Sequence, residues 1–390
     1  MNSTSYTSRP AYVLPLLVVA QFAGTSLWFA TNAVLQNLQT YHPESGSFLS
    51  TLTTAVQLGF VVGTLVYSYF SFADRYSPVR VFMLSALLAA VCNASVLLTY
   101  QWLPSLVVSR LAVGFFLAGV YPVGMKICSD WYEAGLGKAL GYLVGALVLG
   151  TAFPHLIKAI SYSPDWRYVI IITSVLAVAG GVVVGWLVGD GPYRRVAGKL
   201  NPAMLGEVFR KAEFRKYAFG YFGHMFELYT FWAFVPLLLA AYQRQTGESV
   251  NVSLWSFGII AIGAVGCVLT GELSGKWGSH RTAWVALLTS TLCCLLVPAV
   301  GLLPLLGVGV YLVLWGISVV GDSPQFSTLV AQNAPADFKA TALTIVTSIG
   351  FFITIPSLYL TQWLYQQFDY PALMILALGG VVGLWAMRRG

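Results

Sequence analysis

Twelve long apolar runs, each about the length of a membrane-crossing helix, dominate the sequence. The hydrocarbon core of a bilayer is roughly 30 Å thick, and a helix crosses it with about 20 apolar residues. We therefore predict an all-α membrane protein with twelve transmembrane helices. In chain order the predicted spans 1 to 12 are 11–35, 48–70, 79–100, 104–127, 136–157, 168–188, 217–241, 254–273, 283–303, 307–330, 340–365 and 371–387.

The composition excludes most soluble classes of protein. Of the 390 residues, 57% are apolar and only 9% are charged, whereas a soluble domain carries about 25% charged residues. The sequence contains no Gly-x-x-x-x-Gly-Lys-Ser/Thr loop, no His-Glu-x-x-His or Gly-x-Ser-x-Gly motif, and no metal-ligand spacing among its five cysteines. We therefore expect no enzyme, no ATP-driven pump, no metal and no cofactor. An intramembrane enzyme or a receptor-like sensor is the weakest alternative.

Basic residues mark one end of the predicted helices. Of the 21 Lys and Arg residues, 17 fall in loops on one side, three fall on the other side, and Arg110 lies inside span 4. Cytoplasmic loops carry the excess of basic residues. We expect a multi-pass protein of the plasma (inner) membrane with both termini in the cytoplasm, and a first span that is retained rather than removed as a signal peptide. The net charge of +7 then faces lipid headgroups, not nucleic acid.

The longest polar interval separates six spans from six. Within it, Asn201 as a cap, Pro202 at the first helical position and the apolar Leu205, Val208 and Phe209 predict a short helix on the membrane face. We predict a first bundle at 1–190, a linker at 191–216 and a second bundle at 217–390.

The two halves also resemble each other in sequence. A shift of about 202 residues places Pro122 on Pro324, and the same shift aligns Gly119 with Gly321 and Pro154 with Pro356. Repeated residues at a nearly constant offset indicate a duplicated six-helix unit. We therefore expect two pseudo-symmetric six-helix bundles.

The loop between spans 2 and 3 carries the most specific motif. Its sequence, Ala-Asp-Arg-Tyr-Ser-Pro-Val-Arg at 73–80, resembles the Asp-Arg-x-Gly-Arg-Arg loop of the major facilitator superfamily, and 271–281 resembles a second copy. With the six-plus-six layout, the resemblance covers the whole chain and implies a secondary transporter whose bundles rock about a central site. It also implies a cytoplasmic gating motif made of Asp74, Arg75, Arg80, Lys276 and Arg281. Arg110, followed by Gly114, resembles an element of the family that is implicated in proton transfer.

Three further ionisable residues stand out within the predicted spans. His224 and Glu227 lie about 12 Å and 16 Å into span 7, near the midplane, and their spacing puts them on one helix face. Asp322 lies in span 10 beside Pro324, which frees a backbone carbonyl. A charge inside a span costs a few kcal/mol, so each of these residues needs a partner or a function.

A carboxyl beside an imidazole is suited to carry a proton, because burial favours the neutral acid and the imidazole changes charge near neutral pH. We predict that Glu227, His224, Asp322 and Arg110 take part in proton coupling, which requires Glu227 to reach water. Structural alternatives remain open. They are a His224–Glu227 pair that only fixes helix packing, an Asp322 that pairs with a basic residue near the inner surface, and an Arg110 that binds carbonyls of a neighbouring span.

Polar and aromatic residues near the middle of the spans are candidate substrate ligands. Gln57 is the strongest, since an amide inside a span needs a hydrogen-bond partner. The complete predicted substrate-binding set is Trp28, Asn32, Gln57, Tyr121, Tyr229 and Trp232.

The leading interpretation is a proton-coupled secondary transporter of a small polar or charged solute. The alternatives are a facilitator or exchanger that is indifferent to proton gradients, and a drug-type proton antiporter, although Ala146 stands where the antiporter motif has proline. We expect a monomer whose partners are the solute, protons and the lipid bilayer.

Overall fold

Long helices that run from one end of the molecule to the other make up the fold. The structure is a computed structural model that describes residues 10–132, 135–161, 165–194, 205–335 and 339–388. Within these residues there is no strand, and eleven helices are long and apolar enough to cross a membrane. They are Phe48–Tyr69, Pro78–Thr99, Leu103–Trp131, Leu136–Ile160, Arg167–Leu187, Ala212–Thr246, Val252–Trp277, Ser279–Leu302, Leu305–Asn333, Thr341–Phe368 and Tyr370–Arg388.

These eleven helices correspond to predicted spans 2 to 12. Their outer faces are covered with exposed apolar side chains, including Leu98, Trp186, Leu302 and Leu306, each at least 80% exposed. A soluble protein does not expose apolar side chains so extensively, so this surface is the one that lipid covers. The predicted all-α membrane fold is confirmed.

Span 1 differs from the prediction because it is broken. It begins as a helix at Val13–Thr25 and continues as two short helices at Ala30–Ala33 and Leu35–Gln39. Neither proline nor glycine lies in the interval 26–29 between the first two helices. The break therefore has no local cause in the sequence, and contacts with other spans must support it.

Spans 4 and 10 break at equivalent places. Span 4 consists of Leu103–Leu117 and Tyr121–Trp131, and span 10 consists of Leu305–Gly321 and Ser323–Asn333. In each span a proline, Pro122 or Pro324, occupies the first turn of the second segment, where its missing N–H is tolerated. The expectation that Pro324 interrupts span 10 is confirmed.

Glycines bring spans 2 and 4 into direct backbone contact, and spans 8 and 10 repeat the arrangement. A Cβ atom added to Gly114 would lie closer than 3.0 Å to the carbonyl oxygen of Val56, and one added to Gly316 would lie closer than 3.0 Å to the carbonyl oxygen of Ile259. Gly114 and Gly316 are related by the 202-residue shift. Small residues at such crossings let helices pack closely in membranes, and their repetition supports two pseudo-symmetric bundles.

The two halves meet along two pairs of helices. Spans 2 and 11 pack together, and so do spans 5 and 8. Between the halves, Leu205–Arg210 forms a short helix, with Val208 buried and the Phe209 ring 5.3 Å from the Phe214 ring. The beginning of the predicted linker helix, including Asn201 and Pro202, lies outside the described residues.

The close crossing of spans 2 and 4 predicts the effect of one added methyl group. Gly114→Ala should lower the free energy of unfolding by about 1–3 kcal/mol, because the new Cβ meets a backbone carbonyl that cannot move aside. Gly258→Ala in span 8 is the matched control, since nothing lies within 4 Å of its added Cβ. Thermal unfolding of the purified variants measures both effects. Equal midpoints for the two variants would contradict this packing.

Candidate functional site

A cavity of about 520 Å³ lies between the two halves. We call the end of the helices that carries the loops between spans 2 and 3, 4 and 5, and 8 and 9 the basic end, and the other the opposite end. The cavity opens at the basic end, where Asp74, Lys126 and Ser327 line its mouth, and it extends inward to Tyr229 and Phe351. Spans from both halves supply its wall.

Aromatic rings from both halves close the inner end of the cavity. The Trp28 ring lies 5.6 Å from the rings of both Tyr229 and Phe351, and the Phe60 ring lies 4.5 Å from Phe351. The Trp232 ring contacts Tyr229 at 5.2 Å. We call these five residues the aromatic cluster. Because spans 1 and 2 pack here against spans 7 and 11, the cluster exists only while the halves are together at this level.

Polar contacts hold the halves together at the opposite end. The Ser50 hydroxyl in span 2 donates to the carbonyl oxygen of Leu358 in span 11 at 3.2 Å, and it lies 3.4 Å from Oε1 of Gln362. Nε2 of Gln366 donates to the carbonyl oxygen of Gly46. The molecule is therefore closed at the opposite end and open at the basic end.

The predicted substrate-binding residues gather around the inner end of the cavity. Tyr121, Tyr229 and Trp232 line the cavity itself, and Trp28 belongs to the aromatic cluster. Asn32 lies on the short second helix of span 1, where its Nδ2 donates to Oγ1 of Thr53 at 2.8 Å.

Several of these residues carry buried polar atoms without a hydrogen-bond partner among the described residues. They include the indole nitrogens of Trp28 and Trp232, Oδ1 of Asn32 and both amide atoms of Gln57. Gln57 is fully buried on span 2, one turn from Phe60 of the cluster. Buried polar groups are normally satisfied, so such a concentration at one place needs an explanation.

Arg110 supports the break in span 1. Its Nη2 atom donates to the carbonyl oxygens of Leu27 and Trp28, both at 2.8 Å, and its Nη1 atom donates to Oδ1 of Asn93 in span 3 at 2.9 Å. These carbonyls lie in the turns between Thr25 and Ala30, where helical partners are lost. The geometry matches the structural alternative, and it links Arg110 directly to the backbone of a cluster residue.

His224 contacts Asp322 and not Glu227. Nδ1 of His224 lies 2.7 Å from Oδ1 of Asp322, and both side chains are almost completely buried. Asp322 lies at the break of span 10, where neighbouring Ser323 lines the cavity, and Tyr221 lines it one turn before His224. The predicted pairs, His224 with Glu227 and Asp322 with a basic residue, are thus replaced by a pair that joins spans 7 and 10 behind the cavity wall.

Glu227 lies apart from the cavity. It is fully buried, and its two carboxylate oxygens accept hydrogen bonds from Nε1 of Trp315 at 2.6 Å and from the hydroxyl of Ser290 at 2.9 Å. It does not line the cavity. Proton coupling through Glu227 would require its carboxylate to reach water. In this conformation it does not, because its partners lie in spans 9 and 10, on the side away from the cavity.

Asp74 of the predicted gating motif makes its described contacts within the first half. Asp74 lies 3.7 Å from Nζ of Lys126 in span 4, which also contacts Asp130 at 2.7 Å. Nη2 of Arg194, after span 6, donates to the carbonyl oxygens of Asp74 and Tyr76 at 2.8 and 2.7 Å.

The remaining residues of the motif lie on the surface. The side chains of Arg75, Arg80, Lys276 and Arg281 are exposed, and Arg281 lies 5.7 Å from the centre of the Trp277 ring.

Sequence reasoning missed several residues of the site. Asn93 and Ser290 are polar residues inside predicted spans, so the argument that selected Gln57 could have selected them too. Phe60, Phe351 and Trp315 carried none, since aromatic residues inside spans more often contact lipid or pack. Within the described residues, no group of His, Cys, Asp and Glu is arranged to hold a metal ion.

The role of Arg110 predicts a stability effect. Arg110→Lys should lower the free energy of unfolding by about 1.5–3 kcal/mol for each charge-assisted hydrogen bond that the shorter ammonium cannot reach. Arg80→Lys is the control, because the Arg80 side chain is exposed. Thermal unfolding compares the two variants. A midpoint for Arg110→Lys equal to that of the control would show that span 1 does not need this guanidinium.

Comparison with solved structures shows the same fold throughout the chain. A bacterial homologue of the human lysosomal transporter Spinster, in an inward-facing and unoccupied conformation, matches with a TM-score of 0.68 at 16% identity, covering 98% of each chain. The nucleoside transporter NupG gives 0.74 at 13% identity, covering 96% of this chain and 99% of its own. The proton:xylose symporter XylE gives 0.72 at 14% identity, covering 98% and 96%.

A search of curated proteins returns no significant match. The family model described as Major Facilitator Superfamily, however, matches residues 16–358. The match extends from the first helix of span 1 into span 11 and includes the cavity, the aromatic cluster and the buried charges. The chain is thus an integral membrane transporter that belongs to the major facilitator superfamily.

Proposed function

We propose that this transporter is proton-coupled and moves a small solute by alternating access between its two six-helix bundles. The observation that carries the proposal is a central cavity that opens at one end only and is closed at the other by contacts between the halves. Opening the opposite end requires the cluster and the Ser50 contacts to separate. With the basic end in the cytoplasm, as the distribution of Lys and Arg predicts, the present conformation faces inward.

The His224–Asp322 pair is the group best placed to carry the proton. It joins span 7 to the break of span 10, one residue from cavity-lining Ser323, and Nε2 of His224 has no hydrogen-bond partner among the described residues. When the Asp322 carboxylate and the neutral His224 imidazole share one added proton, the pair has no net charge. Without that proton, a net negative charge is buried, which is costly.

The charge of the pair therefore biases the conformation. In the present conformation the side chains of His224 and Asp322 are 1% and 0% exposed. Deprotonation should favour any conformation in which spans 7 and 10 separate and water reaches the carboxylate. A bistable fold whose equilibrium depends on one protonation is the element that coupling requires.

Glu227 is assigned a supporting part in this proposal. Both of its oxygens are engaged by Trp315 and Ser290 within the second half, and it contributes nothing to the cavity wall. It therefore fixes spans 7, 9 and 10 together. A carboxyl that holds helices in place need not change its protonation during transport.

Raising the pH should reduce the population of the present conformation. Spin labels at Thr40→Cys and Ser249→Cys, two exposed positions at the opposite end, report the separation of the halves by pulsed electron paramagnetic resonance. In lipid nanodiscs without substrate, we expect longer distances to gain population as the pH rises from about 5 to 9. Asp322→Asn should abolish this dependence, because the amide has no proton to lose.

Glu227→Gln is the matched control, since it makes the same chemical change in another fully buried carboxyl of the same half. It should keep the pH dependence while lowering the thermal midpoint. If Glu227→Gln abolishes the dependence and Asp322→Asn keeps it, the proton site is Glu227 and our assignment is reversed. If the distances between the two spin labels in the otherwise unchanged protein do not depend on pH, the chain is a facilitator or exchanger.

A further inference from the structure

We infer that the central site binds an uncharged, ring-shaped solute that carries hydroxyl or carbonyl oxygens. This inference rests on the proposed transport function and assigns its substrate class. It follows from the charges and the shape of the cavity, and from unsatisfied hydrogen-bonding groups at and behind its inner wall, where Trp232 lines the cavity and Trp28 and Gln57 lie behind it.

The inner part of the cavity offers no charge to a solute. Of the described residues that line the cavity, the only acid and the only base are Asp74 and Lys126, which lie 3.7 Å apart at its mouth. Deeper in the molecule, tyrosines, threonines and apolar residues form the wall. An ion that left water here would lose its hydration without gaining a counter-charge, which is strongly unfavourable.

The buried charges of the protein are turned away from the solute. Arg110 binds backbone carbonyls and Asn93, Glu227 binds Trp315 and Ser290, and Asp322 contacts His224. None of these side chains lines the cavity. The sequence-based expectation of a small polar or charged solute is thereby narrowed to an uncharged one.

The aromatic cluster favours a ring-shaped solute with a face that can stack on aromatic side chains. Tyr229, Trp232 and Phe351 present their rings at the inner end of the cavity, with Trp28 and Phe60 packed behind them. Rings of this kind stack on planar or ring-shaped ligands at distances like those they make with one another. They also bury apolar surface of a ligand, and this contact requires no charge on the ligand.

The unsatisfied polar atoms indicate what the ring carries. The indole N–H groups of Trp28 and Trp232 are donors only, and both have no hydrogen-bond partner among the described residues, as is also true of the Gln57 amide. An oxygen of a solute that inserts between the rings would accept from these donors. Since leaving a donor buried and unsatisfied is costly, each such bond favours the occupied state.

Two matched series of ring compounds test the charge assignment. The pyranose series is glucose, glucosamine and glucuronate, and the indole series is tryptophol, tryptamine and indole-3-acetate, each giving one neutral, one cationic and one anionic member. Binding to the purified full chain is measured by thermal shift and calorimetry at a single pH. In at least one series we expect the neutral member to bind at least tenfold more tightly than either charged member.

Variants locate the binding. Trp232→Phe keeps an aromatic ring but removes the N–H, and Gln57→Leu removes the amide, so each should weaken binding of the neutral compound about fivefold. Trp186→Phe is the control, because Trp186 is 80% exposed on span 6, and it should leave the affinity unchanged.

Two outcomes would overturn the inference. In the first, neither neutral member binds at least tenfold more tightly than both charged members of its series. In the second, Trp232→Phe leaves the binding of the neutral compound intact. Binding at one pH requires no gradient, so a failure of proton coupling in the spin-label experiment would leave this result untouched. Conversely, if the spin-label distances depend on pH but no neutral compound binds, only the assigned substrate class is wrong and the proposed proton coupling stands.

Discussion

Backbone groups inside a bilayer must find partners within the protein, because the hydrocarbon offers none. Where span 1 breaks, this molecule meets that requirement with a side chain from another span. In span 1, the carbonyl oxygen of Leu27 keeps only a 3.5 Å bond from the Ala30 N–H, and the guanidinium of Arg110 donates to the carbonyl oxygens of Leu27 and Trp28, both at 2.8 Å. These bonds hold the broken segment in which the Trp28 ring packs against Tyr229 and Phe351 of the other half, at the inner end of the cavity.

The two halves each bury a polar centre, but only the centre of the first half supports a helix break. In the first half, Arg110 of span 4 joins the broken span 1 to Asn93 of span 3. In the second half, Trp315 of span 10 and Ser290 of span 9 meet at Glu227 of span 7, which is continuous from Ala212 to Thr246. Each half thus has a buried polar centre that connects its first, third and fourth spans. The ionisable group of this centre is an arginine in the first half and a glutamate in the second.

The sequence was informative where local chemistry decides the outcome. Span number and position follow from hydrophobic length, and the break of span 10 follows from Pro324, because both depend on residues close together in the chain. The break of span 1 was not predictable, since its support, Arg110, comes from another span. The partner of His224 was missed for the same reason. Trp28, Tyr229 and Trp232 could be proposed for the site, whereas Phe60 and Phe351 look in sequence like any lipid-facing phenylalanine.

The glycine crossings have a consequence for movement. Where Gly114 abuts the Val56 carbonyl and Gly316 abuts the Ile259 carbonyl, backbone rests on backbone, and neither pair of helices can slide without a clash. Each half must then turn as a stiff block. Movement between the halves is then concentrated along the helix pairs that join them, spans 2 with 11 and 5 with 8. A Cβ atom added to Gly145 in span 5 would lie 3.8 Å from Ala264 in span 8, an ordinary contact, whereas spans 2 and 11 must break the hydrogen bond from Ser50 to Leu358 before they separate.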